Sequence, residues 1–165
     1  MDFLDGDLFW DPMIPSMTNS DRTEIYKNKN KTLAKLHSVD YTKIGLEDYG
    51  KPGNYVARQV SRWSKQYRAS ETDNIEAMNN LIEWLPKNIP DDDETTIVHG
   101  DYRLDDMILR NNEVIGILDW ELSTLGHPIA DFSYHCLSWR TQEAFWDEAK
   151  LKELGIPSEK EYMEM

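Results

Sequence analysis

At 165 residues, with a hydrophobic fraction of 39%, six Trp and eight Tyr, the chain suits one folded domain with a moderate core and excludes wholesale disorder. Its formal net charge of −13 argues against a nucleic-acid backbone or an anionic membrane as partner, because no basic block offsets it. The single cysteine, Cys136, excludes an internal disulfide framework and fits a reducing compartment, and no run approaches the roughly 20 apolar residues of a membrane helix.

The opening segment, MDFLDGDLFWDP, holds aromatics, a glycine and a proline and reads as extended chain with turns. It is acidic where a secretory or mitochondrial leader is basic, so an intracellular protein with no readable organelle address is expected. An Asp21-x-x-Glu24 pattern predicts a capped helix to about His37, with Ile25, Leu33 and Leu36 among its apolar positions. Glycines and Pro52 break the chain before Asn54, the expected cap of a second helix whose Val56, Val60, Trp63 and Tyr67 mark one buried face. A third helix carries Ile75, Met78, Ile82 and Leu85 and stops at Pro86. Asn88 to Thr95 is a polar loop, and its Asp91-Asp92-Asp93-Glu94 run reads as solvated.

From Thr96 to Glu121 the pattern is strand, acidic loop, strand, turn, strand, acidic loop, with Asn111-Asn112 as the turn because asparagine tolerates positive φ. Ile129 to Trp139 and Thr141 to Leu154 read as helical, and Ser158 begins a last, short helix. Cys136 is expected to be a buried small hydrophobe. His37, His127 and His135 are expected in structural, turn and core roles, since no histidine pair has metal-ligand spacing. Helices, a small hairpin region and helices again make an α+β fold, mostly helical, in a single domain spanning residues 1–165.

The carboxylates of the Thr96 to Glu121 run sit where strands end. Asp101 follows Ile97, Val98 and a glycine; Asp119 follows Val114 to Leu118, and the hairpin brings the two loops together. Carboxylates converging on one point repel unless a cation joins them, and magnesium carrying phosphates is the usual solution. Phosphoryl transfer needs a base for the acceptor hydroxyl and one or two magnesium ions on the phosphate oxygens. Asp101 suits the base, Asp119 a direct metal ligand, and Asp106 a second oxygen ligand, while alternation turns Asp105 the other way.

HGDYRLDD followed by ILDWE resembles the aminoglycoside phosphotransferase-like branch of the protein-kinase fold, with its HGD-x-x-x-x-N loop and a D-x-E/D loop after a short hairpin. LAKLHSVD and STLGHPIADFSYH strengthen the likeness, which within that branch is greatest to the kinase-like domain associated with acyl-CoA dehydrogenases. The resemblance covers essentially the whole chain. It implies the C-terminal lobe of a kinase-like fold, ATP and Mg2+ as cofactors, Asp101 as catalytic base, Asp106 and Asp119 at the nucleotide-bearing metal, and Glu121 either at the metal or facing solvent. It makes His99 a brace of the catalytic loop and Asp131 a structural acid tying a helix to that loop. A small-molecule hydroxyl, such as that of a hydroxyacyl-CoA, is the implied acceptor, a fused acyl-CoA dehydrogenase domain or a separate N-terminal lobe the implied partner, and mitochondrion or peroxisome the implied compartment.

Two departures stand out. The family pattern has asparagine where this chain has Asp106, which keeps an oxygen, loses an amide donor and adds a negative charge. Before the catalytic loop the glycines are Gly6, Gly45, Gly50 and Gly53, and none forms a Gly-rich phosphate cover with a strand lysine. Reduced turnover by this chain alone is therefore expected. A non-catalytic, pseudokinase-like binding lobe is the alternative, and a metal-dependent phosphohydrolase ranks behind both.

Overall fold

The structure, a computed structural model, describes residues 3–92, 94–141, 143–145 and 147–165. Thr18 caps the first helix, α1 (Asn19–His37): its hydroxyl accepts the Asp21 N–H, and the Asp21 carboxylate accepts from Thr18 in return. This corrects the expected Asp21 cap, because the capping oxygen belongs three residues before the acid of the box. α1 buries Arg22, Ile25, Tyr26, Lys29 and Leu33 along one stripe. Arg22 donates to the carbonyls of Ile14 at 3.0 Å and Leu154 at 2.9 Å, so α1 holds the entry segment and the C-terminal helices together.

Asn54 precedes α2 (Tyr55–Ser70) in the left-handed conformation, with φ at 51°, and its side chain makes no capping hydrogen bond. α3 (Glu76–Trp84) ends in a single 3-10 turn, Leu85–Lys87, that carries Pro86. Neither α2 nor α3 has a buried residue, and Trp63 and Trp84 are each 56% exposed. The expected buried face of Val56, Val60, Trp63 and Tyr67 is therefore a half-covered stripe. Its periodicity is real, but the described element packed most closely on α2 is the turn after α3, which is too small to cover it.

The described strands form two antiparallel pairs. β1 (Thr96–Val98) pairs with β4 (Thr124–Gly126), and β2 (Met107–Arg110) pairs with β3 (Glu113–Ile117) through the Asn111-Asn112 turn, both asparagines at positive φ. β4 is an addition to the sequence expectation: three residues give too little alternation to read as a strand. A register shift between Ile108 and Leu109 bends the hairpin, and Asp7 of the entry segment bridges Leu109 on its open edge. α1 packs on β3 and β1.

The expected Ile129 to Trp139 helix is two, α4 (Pro128–His135) and α5 (Ser138–Thr141), separated by a turn at Cys136 and Leu137. The expected Thr141 to Leu154 helix starts only where Asp147 caps α6 (Glu148–Leu154), after a 3-10 turn at Glu143–Phe145; its Gln142 and Trp146 lie outside the described residues. Ser158 and Glu161 box the start of α7 (Glu159–Met163). Tyr26, Tyr102, Trp139, Phe145 and Tyr162 join the aliphatic side chains of α1, β2 and α6 in one core, with Cys136 buried in it as expected. No described helix is long and apolar enough to cross a membrane.

Candidate active site

Both acidic loops leave the sheets at the same end of the molecule. From β1 the chain runs through His99 and Gly100 to Asp101, then through a 3-10 turn, Leu104–Asp106, into β2. From β3 it runs through Leu118 to Asp119, at a left-handed φ of 58°, then through the turn Trp120–Leu122 into β4. The loops are bonded to each other: the Leu118 N–H donates to the Asp106 carbonyl at 2.8 Å, and His99 Nε2–H donates to the Leu118 carbonyl at 2.8 Å. His99 is fully buried, its Nδ1 accepts the Asp101 N–H at 3.3 Å, and its ring meets Trp120 edge-on at 4.9 Å. One neutral imidazole thus fixes the backbone of both loops, the bracing role expected of it.

Asp131 on α4 is the second anchor. Its Oδ2 accepts the His99 N–H at 2.8 Å, its Oδ1 accepts the Gly100 N–H at 2.9 Å, and His37 Nε2 lies 3.0 Å from Oδ2. Burial alone would raise this carboxyl's pKa; the hydrogen bonds from His37, His99 and Gly100 outweigh it and hold the group below its ordinary value. Gly100 takes φ +89°, and a Cβ there would stand 2.7 Å from the Leu122 carbonyl oxygen. The residue before Asp101 therefore has to be glycine for two reasons, conformation and space.

The predicted carboxylates are brought together in part. Burial, then the charges of Asp105 and Asp101, push the Asp106 carboxyl up, with Asp119 adding to the effect and Arg103 opposing it. Asp101, Asp106 and Asp119 thus share one electrostatic neighbourhood. Glu121 is exposed on the turn after Asp119. Among the described residues no three carboxylate, histidine or cysteine groups converge closely enough to hold a metal ion by themselves. Asp105 lies in the 3-10 turn, where the alternation expected of it does not apply, and takes a two-pronged bond from Arg103.

Sequence reasoning missed Arg103 and Tyr134. Arg103 Nε stands 3.8 Å from Asp101 Oδ1, an oxygen that is buried and has no hydrogen-bond partner among the described residues. The Tyr134 hydroxyl lies against both Asp101 and Arg103; burial, then the Asp101 carboxylate, keep its proton on. Arg103 sits inside the quoted motif, where an arginine two residues after the acid was a usable signal. Tyr134 gave none, since its place depends on how α4 docks.

The sequence matches the family described as "APH: Phosphotransferase enzyme family" over residues 1–164. Mouse acyl-CoA dehydrogenase family member 10 is 44% identical over 172 residues, an alignment that takes in 100% of this chain and 16% of that protein. A crystal structure of a putative aminoglycoside phosphotransferase from Ralstonia eutropha superposes with a TM-score of 0.95 at 48% identity, covering 99% of this chain and 52% of that one. Aminoglycoside phosphotransferase APH(4)-Ia, solved in ternary complex with ADP and hygromycin B, shares the fold with a TM-score of 0.57 at 13% identity, over 90% of this chain and 56% of that one. The chain thus spans about half the length of the solved relative and a smaller part of the curated one.

Proposed function

Since the chain belongs to the APH phosphotransferase enzyme family, we propose that its two acidic loops are the base and metal half of an ATP- and Mg2+-dependent site that phosphorylates a small-molecule hydroxyl. The observation that carries this reading is Asp101 Oδ1, a buried carboxylate oxygen with no hydrogen-bond partner among the described residues, held beside Asp106. An acceptor hydroxyl bonded to the exposed side of this carboxylate is oriented by it and gives up its proton there as the new bond forms. Arg103 and Tyr134 fix where the carboxylate points, and His99 and Asp131 fix the backbone beneath it.

The donor set suits magnesium. This ion is commonly bound by one or two carboxylates together with substrate phosphates and its own waters, so two protein groups suffice. Asp106 and Asp119 are those groups; burial is the first cause of the upward push on Asp106, and the repulsion from Asp105, Asp101 and Asp119 that adds to it is what a divalent cation would relieve. Glu121, exposed on the following turn, is a third oxygen donor in reach of solvent waters rather than of a closed cage. Bound Mg2+ and ATP supply the phosphoryl group and neutralise its oxygens; ADP in the ternary complex of the distant relative agrees with a nucleotide here. The relation to an acyl-CoA dehydrogenase family member makes a hydroxyacyl compound, as the free hydroxy acid or its CoA thioester, the acceptor we favour, and a fused dehydrogenase domain the partner.

The test is thermal unfolding with ATP and Mg2+ together and separately. The pair is expected to raise Tm where either alone does not, and Asp119→Asn to abolish the rise. No response in wild type or in Asp106→Asn would instead make the chain a non-catalytic binding lobe, the reading that the extra negative charge at Asp106 favours.

A further inference from the structure

A pocket of about 300 Å³ lies behind the base loop, with Arg103, Asp105 and Tyr134 on the side toward Asp101. Its far wall contains Lys29, which projects from the buried stripe of α1 and is only 3% exposed. The ammonium lies 4.5 Å from the centre of the Tyr26 ring. Among the described residues no ion pair or hydrogen bond to this ammonium is found, and Lys29 lines the pocket. This is unusual in a chain with 31 acidic and 18 basic residues: carboxylates are plentiful, yet the most deeply buried lysine has none. A buried cation normally has a partner, because removing it from water unpaired is costly.

The other walls define what that partner can be. Trp10, Leu104 and Trp139 offer apolar surface. Lys29 itself is held from both sides: the Tyr102 hydroxyl donates to its carbonyl at 2.8 Å, and the Tyr26 hydroxyl donates to the Pro12 carbonyl at 2.8 Å, fixing the ring under the ammonium. The pocket thus sets Lys29 and apolar side chains in one lining with Arg103 and Tyr134, the groups that stand against the candidate base.

We propose that this pocket binds a small organic anion, its acidic oxygens on Lys29 Nζ and its apolar body between Trp10, Leu104 and Trp139. Resting on the phosphotransferase reading, the anion is the acceptor, and Lys29 is the residue that selects it, with the hydroxyl left toward Asp101. The absence of a protein counter-ion is then functional, since an internal carboxylate would occupy the place of the ligand's. Burial pushes the free amine down to about 7 despite the opposing pull of Cys136 and Asp105, so the ligand also restores a charge that the empty pocket disfavours.

Titration calorimetry with hexanoate, hexanol and inorganic phosphate tests this. None of these probes is a phosphorylatable hydroxy acid, so the result does not depend on transfer. Saturable hexanoate binding is expected, weakened at least tenfold in Lys29→Met and largely kept in Lys29→Arg. Hexanol binding should be indifferent to Lys29, and phosphate should bind more weakly than hexanoate. Equal hexanoate affinity in wild type and Lys29→Met, or phosphate binding tighter than hexanoate, would overturn the proposal. If Lys29→Met does not fold, Ser138→Leu narrows the same pocket, and unchanged hexanoate binding there overturns it as well. Asp119→Asn should lose the response to ATP and Mg2+ but keep hexanoate, which separates failure of the site reading from failure of this one.

Discussion

His135 carries no charge in the interior it helps to build. Its Nδ1–H donates to the Tyr102 carbonyl at 2.9 Å and its Nε2 accepts the Tyr162 hydroxyl at 2.8 Å. Burial, with Lys29 nearby, pushes its pKa from 6.5 down to about 3. The unfolded chain therefore takes up this proton first as pH falls, so stability is full above about 6.5 and is lost from there toward 3, at up to about 1 kcal/mol per pH unit. Urea unfolding near neutrality and at about pH 5 should reveal that slope, and His135→Gln should flatten it. An equally steep loss in the variant would place the acid sensitivity in another group. Lys29 meets burial differently: among the described residues no hydrogen bond to its ammonium is found, and it faces the pocket instead. Its burial is foreshadowed by spacing, because Ile25, Lys29 and Leu33 recur every four residues along one helix face.

The loop from β1 to β2 is the element on which the site depends most. Gly100→Ala would put a methyl group 2.7 Å from the Leu122 carbonyl at a φ of +89°, costing about 1–3 kcal/mol in strain and shifting Asp101 off its line. A lowered denaturation midpoint together with loss of the ATP–Mg2+ response is the expected result; a variant that keeps both would show that the loop tolerates a Cβ. This loop, the hairpin and the Asn111-Asn112 turn were legible because each is specified locally, by glycine, by asparagine and by strand-ending acids. The burial of α2 was not. Val56, Val60, Trp63 and Tyr67 mark an apolar stripe, but what covers a stripe is set by tertiary packing, which periodicity does not encode. The Thr18 cap and β4 escaped for the opposite reason, being too short to stand out from their neighbours.

Over the whole molecule, the fold sets the carboxylates of the two acidic loops on one side of Asp101 and the Lys29 pocket on the other, in a chain of net charge −13. It corresponds to the C-terminal portion of the kinase-like fold, matching 52% of its solved relative. The two acidic loops, proposed as the metal half of the site, were legible because carboxylate spacing is visible in one dimension. Arg103, Tyr134 and Lys29 come from three different elements and meet only once α1 packs on β1 and β3 and α4 packs on β1. Paramagnetic broadening of backbone amide NMR signals by Mn2+, used in place of Mg2+ with ATP, measures most directly where the ion sits. The amides of Asp106, Met107, Leu118 and Asp119 should broaden first, and Asp119→Asn should abolish the effect. Broadening centred instead on the acidic loop at Asp91 and Asp92, or unaffected by Asp119→Asn, would contradict the assignment of these loops as the metal site.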